Sequence, residues 1–338
     1  MRYGVVGTGY WGKNHVRVAK ELLDQGELDE VVLCDTDESR ASNLAETYDL
    51  PYETDIDQLD VDAATVATPS TTHRNVALSM LERDIDLLVE KPLALTSADA
   101  WDIVDAAEDN GCTLGVGHIF RYHPALVALK RRIDRGELGR IKYLQTRRFS
   151  FRVPRTTTGV LYSLAVHDVD IYDYLLGRRP DSVHGQLDSF VREDIVETAT
   201  ITLEYGDTSG IINSSWQVPV FDKKRDLVVV GSNRSAYVDY LENTKLELFD
   251  AEVFSDPDDG LKSRNDGAIS HSTDDREPLK VEVESFVEAS LAGEQPPADG
   301  TVGARAVETL EYAEESARKK SVVPVERANA VTQFYSNN

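Results

Sequence analysis

The sequence is short of several things, and each shortage removes a class of protein. Only two of its 338 residues are cysteine. Cys34 lies in VVLCD and Cys112 in GCTLGVG, apolar runs where a small buried thiol is the ordinary role, so no disulfide framework is implied. Seven histidines are scattered without His-Glu-x-x-His or paired-cysteine spacing, and no metal site is expected. No apolar stretch approaches the roughly 20 residues a membrane helix needs. Met1-Arg2 runs straight into a strand-like segment, which leaves no room for a signal peptide and makes the cytoplasm the default expectation. Lysine is scarce, with 12 against 24 arginines, and 34 Asp and 26 Glu outweigh both, for a formal net charge of −24. A phosphate backbone is held by clustered Lys and Arg, so a nucleic-acid partner is not expected. Acid excess with few lysines fits a halophilic protein in a salt-rich cytoplasm. At molar salt the Debye length is about 3 Å, so dense carboxylates repel little while staying hydrated.

What is present divides in two. The first third alternates short apolar runs with amphipathic ones: YGVVG, HVRVAKELLDQG, EVVLCD, RASNLAETYDL, AATVATPS, HRNVALSMLERDI and DLLVEKP. That rhythm predicts repeated βα units on a parallel sheet. From about Ile141 the segments lengthen and alternate with period two, as in IKYLQTRRFSF, ETATITLEY and RDLVVVGS. These predict a large, mostly antiparallel open sheet with one face solvated or paired with another subunit. An α/β protein with units at 1–122 and 123–338 is therefore expected. Residues 255–277, rich in Asp, Ser, Gly and Asn, read as a mobile acidic loop. Helical spacing returns in VEVESFVEASLAG and GARAVETLEYAEESARKK.

Gly7-Thr8-Gly9-Tyr10-Trp11-Gly12 fits G-x-G-x-x-G, a weak pattern alone. Here it follows a strand and opens a helix, where backbone N–H groups can hold a pyrophosphate. Gly7 would allow the tight turn, Gly9 the close approach of a dinucleotide, and Gly12 the packing of helix on strand. The second strand ends at Asp35, 23 residues beyond Gly12, where a carboxylate can accept from an adenosine ribose. This predicts a Rossmann unit that prefers NAD, since the carboxylate repels a 2′-phosphate, although Arg40 nearby leaves NADP open.

Further segments accompany that fingerprint: Val66-Ala67-Thr68-Pro69, then His73, then Leu88-Val89-Glu90-Lys91-Pro92, then His167-Asp168-Val169-Asp170-Ile171, and Glu277-Pro278-Leu279 leading into a helix. Together they resemble the glucose-fructose oxidoreductase, inositol dehydrogenase and MocA family (Gfo/Idh/MocA) over nearly the whole chain. The resemblance implies a Rossmann domain followed by an α/β domain whose open sheet builds homodimers or homotetramers. It implies that Lys91 projects into the cleft beside the nicotinamide and that His167 sits across the substrate. Tyr10, Trp11, Thr68, Pro69, His73 and Glu90 would line the cofactor, and Arg121, Tyr122, Ser163 and Asp168 are candidates near substrate.

The chemistry asks for such groups independently. A hydride leaves a carbinol carbon only as its hydroxyl proton departs, so a base must reach that oxygen. His167 suits that task, and Lys91 can stabilise the developing negative charge. One residue departs from the family pattern. The family often places Asp four residues before the histidine, and here Ser163 stands there, a feature shared with members resembling nucleotide-sugar 3-dehydrogenases. Either His167 acts without a carboxylate partner, or Asp168 or Asp170 substitutes. The reading is an NAD(P)-dependent oxidoreductase acting on a ring hydroxyl of a sugar, with a nucleotide-linked amino sugar or uronate in view. An inositol or free-sugar dehydrogenase is the alternative within the family, and a non-catalytic dinucleotide-binding sensor the alternative outside it.

Overall fold

The structure, a computed structural model, describes residues 1–155, 157–242, 244–258 and 260–326. The final stretch of the expected second unit, 327–338, lies outside the described residues.

The first unit contains β1 (Arg2–Val6), α1 (Gly12–Gln25), β2 (Glu30–Cys34), α2 (Glu38–Tyr48), β3 (Tyr52–Glu53) and β4 (Ala63–Val66). It continues with α3 (His73–Leu81), β5 (Asp86–Val89), α4 (Ser97–Asn110) and β6 (Leu114–Val116). The strands pair in parallel in the order β3-β2-β1-β4-β5-β6. This is the dinucleotide-binding order, and it places a crevice at the carboxyl ends of β1 and β4, where the direction of winding reverses. Helices cover both faces, which is why β4 and β5 are buried on consecutive rather than alternate residues.

The second unit opens with α5 (Pro124–Asp134), β7 (Ile141–Ser150), α6 (Val166–Leu176), β8 (Ser182–Asp188), β9 (Thr198–Tyr205) and β10 (Thr208–Ser215). Then come β11 (Lys223–Gly231), β12 (Ser235–Asp239), β13 (Lys245–Asp256), β14 (Gly260–Ser272), α7 (Pro278–Ala292), α8 (Gly300–Lys319) and β15 (Val323–Pro324). Its nine strands run β14-β13-β12-β11-β7-β10-β9-β8-β15, antiparallel except where β7 meets β10. Strand β9 alternates strictly: Ala199, Ile201, Leu203 and Tyr205 are buried, and the threonines between them are not.

Two expectations need correction. Residues 255–277 are not a loop over most of their length, because 260–272 form β14, an exposed edge strand laddered to β13. Composition misleads here because the ladder is made by the main chain and the side chains are held by ion pairs such as Arg264–Asp250 at 2.7 Å, not by burial. The boundary at 122/123 does not separate the two cores either. Leu279, Val283, Phe286 and Val287 of α7 are buried in one cluster with Tyr3, Val5, Val16 and Leu22 of the first unit. The chain returns because α7 carries an apolar face that the far side of the Rossmann sheet leaves uncovered.

Candidate active site

The turn after β1 is shaped by what a side chain would hit. Gly7 has φ +90°, and a Cβ there would lie 2.7 Å from the Thr68 backbone nitrogen. At Gly12 a Cβ would fall 1.8 Å from the Gly7 carbonyl oxygen, so only glycine lets α1 start this close to the strand. Gly9 differs, since its nearest neighbour would be Arg40 at 3.6 Å. Its bareness serves whatever approaches from the cleft rather than the protein's own packing. Asp35, just past β2, is 7% exposed. Its Oδ2 accepts from the Thr8 backbone N–H at 2.8 Å and the Thr8 hydroxyl at 2.9 Å, and its Oδ1 accepts from the Asp37 N–H at 3.0 Å. A carboxylate offers about four lone-pair sites, so one on Oδ1 is still available. Arg40 lies 3.5 Å from Asp35 and 2.9 Å from Asp37, over the same rim.

The facing wall is built on β4 and β5. His73 is buried with its Nδ1 2.9 Å from the Pro92 carbonyl and its Nε2 3.0 Å from the Thr68 carbonyl, which staples the Thr68-Pro69 turn to the Lys91-Pro92 turn. Burial holds its imidazole below the ordinary range. The peptide between Lys91 and Pro92 is cis. Glu90 accepts from the Trp11 indole N–H, contacts His15 Nε2 at 2.8 Å, and accepts from the Lys91 N–H at 3.1 Å. Burial alone would raise its carboxyl, but His15, Lys91 and Trp11 outweigh that and leave it lowered. Gly117 is needed beside it, since a Cβ would come 2.9 Å from Glu90 Oε2. Glu90 thus ties the glycine turn to the Lys91 turn as one body.

Lys91 extends across the cleft, where its Nζ donates to the Ser163 carbonyl at 3.0 Å. Desolvation, with Arg155, Arg148 and Arg225 adding to it against Glu90, brings its amine down to about 8. His167, on α6, is 8% exposed and stands edge-on to Phe120 at 5.0 Å between ring centres. Desolvation first, then the charges of Lys91 and Arg148, push its imidazole well below 6.5, so it is neutral at pH 7. Ser163 lines the same cleft, its hydroxyl 3.0 Å from that of Thr158. It belongs to a π-helical turn, Leu161–Ala165, and not to the regular α-helical turn that the four-residue spacing assumes.

Asp168 and Asp170 do not supply a carboxylate to His167. Asp168 is fully buried, with both oxygens 2.8 Å from Arg148 Nε. Asp170 accepts from Arg121 Nε at 2.7 Å and lies 3.6 Å from His118 Nδ1. Asp168 is one residue on and turned off the face of His167, whereas Asp170, three residues on, is held by Arg121 and His118, and neither carboxylate lines the cleft. Arg121 and Tyr122 are absent from the cleft as well. Arg121 is drawn to Asp170 and to the Pro297 carbonyl at 2.9 Å, and Tyr122 is buried beside Ser285. The other named positions, Gly7, Gly9, Tyr10, Trp11, Asp35, Arg40, Thr68, Pro69, His73, Glu90, Lys91, Ser163 and His167, line one cleft of about 1700 Å³.

Sequence reasoning missed the sheet's contribution to that cleft, including Arg148, Arg152, Trp216, Lys223, Arg225 and Tyr240. A signal existed. Positions 148, 150 and 152 share one strand face, as do 223 and 225, and cations on a face that should be apolar mark a surface built to meet something.

A family model described as "Oxidoreductase family, NAD-binding Rossmann fold" matches residues 1–118, and one described as "GFO/IDH/MocA C-terminal domain" matches residues 126–237. Fold and cleft are accordingly those of an NAD-binding oxidoreductase. The chain belongs to the GFO/IDH/MocA family. It is 29% identical over 309 residues to a UDP-N-acetylglucosamine 3-dehydrogenase of Acidithiobacillus ferrooxidans, covering 90% of this chain and 93% of that one. A solved structure of the Acidithiobacillus ferrooxidans enzyme superposes with TM-score 0.79 at 26% identity, covering 94% of this chain and 98% of the other. An inositol 2-dehydrogenase of Saccharopolyspora erythraea is 32% identical over 186 residues, 53% of this chain and 54% of that protein. Levoglucosan dehydrogenase in complex with NADH shares the fold with TM-score 0.82 at 19% identity, covering 97% of this chain and 99% of the other.

Among the described residues no helix is long and apolar enough to cross a membrane, and no cluster of three His, Cys, Asp or Glu could hold a metal ion.

Proposed function

We propose that this oxidoreductase oxidises a ring hydroxyl of a sugar, with Lys91 and His167 serving the reacting oxygen. The observation that carries the reading is their pairing. A neutral imidazole on α6 and a partly desolvated ammonium, the latter on the body that carries the glycine turn, line one cleft at the carboxyl ends of the Rossmann strands.

The residues fit the dinucleotide. Gly7, Gly9 and Gly12 leave the turn bare for the pyrophosphate, Asp35 has a lone pair left for a ribose hydroxyl, and Thr68, Pro69 and His73 wall the nicotinamide end. When bound, NAD+ supplies the hydride acceptor. His167, neutral at pH 7, takes the hydroxyl proton. Lys91 spends one of its three N–H donors on the Ser163 carbonyl and directs the others at the oxygen as negative charge develops there. Glu90, bonded to Trp11, His15 and the Lys91 N–H, keeps lysine and cofactor turn in register.

Residues 1–122 hold the dinucleotide on this reading, and the rest of the chain supplies the sugar side and the subunit contacts. The sheet face turned away from the helices carries Tyr143, Ile211, Val228, Val230 and Tyr237, none fully buried, which suits a homodimer or homotetramer. The acidic surface suits a halophilic protein of the cytoplasm. A dehydrogenase screen of free sugars, inositols and nucleotide sugars with NAD and NADP at high salt tests the activity. Turnover of at least one polyol is expected, and tight NADH binding with no oxidation of any would identify a sensor instead.

A further inference from the structure

The two faces of the β7–β11 ladder treat charge in opposite ways. On the outer face Arg147 stands across from Asp226 and binds it at 2.6 Å, and Lys224 binds the same carboxylate at 2.9 Å. On the face that lines the cleft, Arg148 stands directly across from Arg225, with Arg152 and Lys223 further along. Like charges directly opposite on neighbouring strands destabilise the sheet. Asp168 answers them, bonded to Arg148, and Asp222 adds a weaker attraction at Arg225. Among the described residues Arg152, Lys223 and Arg225 have no ion pair, although Asp222 lies on the same lining. In a chain with 60 acidic and 36 basic residues, carboxylates are not in short supply. Their near absence from this one face needs a reason.

Arg148 provides a second, independent observation. It is 1% exposed, and its guanidinium lies over the rings of Phe120 at 4.4 Å and Tyr240 at 4.8 Å. One terminal nitrogen is buried with no hydrogen-bond partner. A buried guanidinium N–H left unmade is costly, and such donors ordinarily find an acceptor.

We infer that Arg148, Arg152, Lys223 and Arg225 form an anion subsite that selects substrates carrying a carboxylate or phosphoryl group on or next to the ring that is oxidised. The inference rests on the proposed sugar-dehydrogenase reading and names its substrate class. Arg148, Arg152, Lys223 and Arg225 line the same cleft as Lys91 and His167, so the anion sits in the pocket that holds the reacting carbon. Arginine forks match either kind of anion in two-point contacts.

The test compares three alcohols of one ring type, a neutral hexose, its uronate and its nucleoside-diphosphate ester, on the parent and on Arg225→Gln and Arg152→Gln. For the parent, kcat/KM should be at least about tenfold higher for one or both anionic substrates than for the neutral one. Each variant should raise KM for the preferred anion by about tenfold or more and shrink the ratio of anionic to neutral kcat/KM by a similar factor. Preference for the uronate or for the diphosphate identifies which anion the subsite takes. Calorimetric binding to the NADH-loaded protein separates this inference from the reading beneath it. Anion-dependent affinity that falls in Arg225→Gln supports the subsite even where nothing is oxidised. Equal affinity for neutral and anionic ligands overturns it even where sugars are oxidised. Weakened NADH binding with unchanged sugar affinity assigns the arginines to the cofactor and also overturns it.

Discussion

Replacing Lys91 by methionine should separate activity from stability in opposite directions. The Lys91 amine falls from 10.5 to about 8 on burial beside Arg155, Arg148 and Arg225. Holding a charge there costs the fold about 3 kcal/mol at pH 7. Because the folded value lies below the unfolded one, the cost is fully present below pH 8 and fades as pH rises toward 10.5. Methionine has similar length and no charge, so Lys91→Met removes that cost and loses the 3.0 Å bond to the Ser163 carbonyl, worth about 1 to 3 kcal/mol. The variant should therefore be as stable as the parent at pH 7, or more stable by up to about 2 kcal/mol, a rise in melting temperature of a few degrees. At pH 10 the charge cost in the parent has shrunk to about 1 kcal/mol and the advantage should vanish. Turnover moves the other way. Losing the donor to the developing alkoxide should cut kcat by about a hundredfold, or roughly 2.7 kcal/mol, with NAD affinity nearly unchanged. Melting curves at both pH values, with kcat at saturating NAD, check this. A variant that is clearly less stable at pH 7 and turns over normally would refute both the buried charge and its role.

Asp35→Ala should lower the ratio of NAD to NADP kcat/KM and also the melting temperature, since Asp35 anchors Thr8 twice; an unmodified protein that uses NADP equally well removes Asp35 as selector. Ser163→Asp places a carboxylate beside Lys91 and near His167, which raises the imidazole pKa, so the acidic limb of kcat/KM for alcohol oxidation should move to higher pH, and an unmoved limb in a folded variant counts against His167 as base. Thermal stability should keep rising with KCl into the molar range, and a flat profile defeats the halophilic reading. With an anionic substrate bound, the basic limb of kcat should lie above that of kcat/KM, whereas a neutral substrate should leave the two together, and coincident limbs for both would separate the subsite from Lys91.

The first unit was legible because parallel strands buried on both faces must be apolar runs, and VVLC, AATV and DLLV are such runs between amphipathic helices. The glycine turn was legible for a steric reason, since positions 7 and 12 admit no side chain at all. Ranking the residues around His167 was beyond the sequence. The segment HDVD offers two carboxylates beside one imidazole, and only the helix, entered through a π-helical turn, shows that both point into the core toward Arg148 and Arg121. Strand β14 was illegible because main-chain pairing leaves no trace in composition when nearly every side chain stays in solvent. The cationic face required the register of β7 against β11, a contact between residues almost 80 positions apart.

Serine at position 163 and arginine at 148 and 225 are two parts of one electrostatic arrangement. A carboxylate at 163 would hold Lys91 and His167 in their charged forms, and an imidazolium cannot accept the hydroxyl proton. Neutral serine, with cations on the opposite wall, does the reverse: His167 is neutral at pH 7, and Lys91, brought down to about 8 first by burial, loses its charge as pH rises through that value. That suits the base at pH 7 but removes the charge the lysine's task needs above about pH 8. An anion seated on the arginines eases the conflict, because it offsets the part of the lowering that Arg148 and Arg225 add to burial and keeps the ammonium to higher pH. His167, lowered like Lys91 first by burial, is neutral at pH 7 and able to accept. On this reading the missing carboxylate of the protein is supplied by the substrate, and a neutral sugar that fits the cleft meets a lysine that loses its charge above about pH 8.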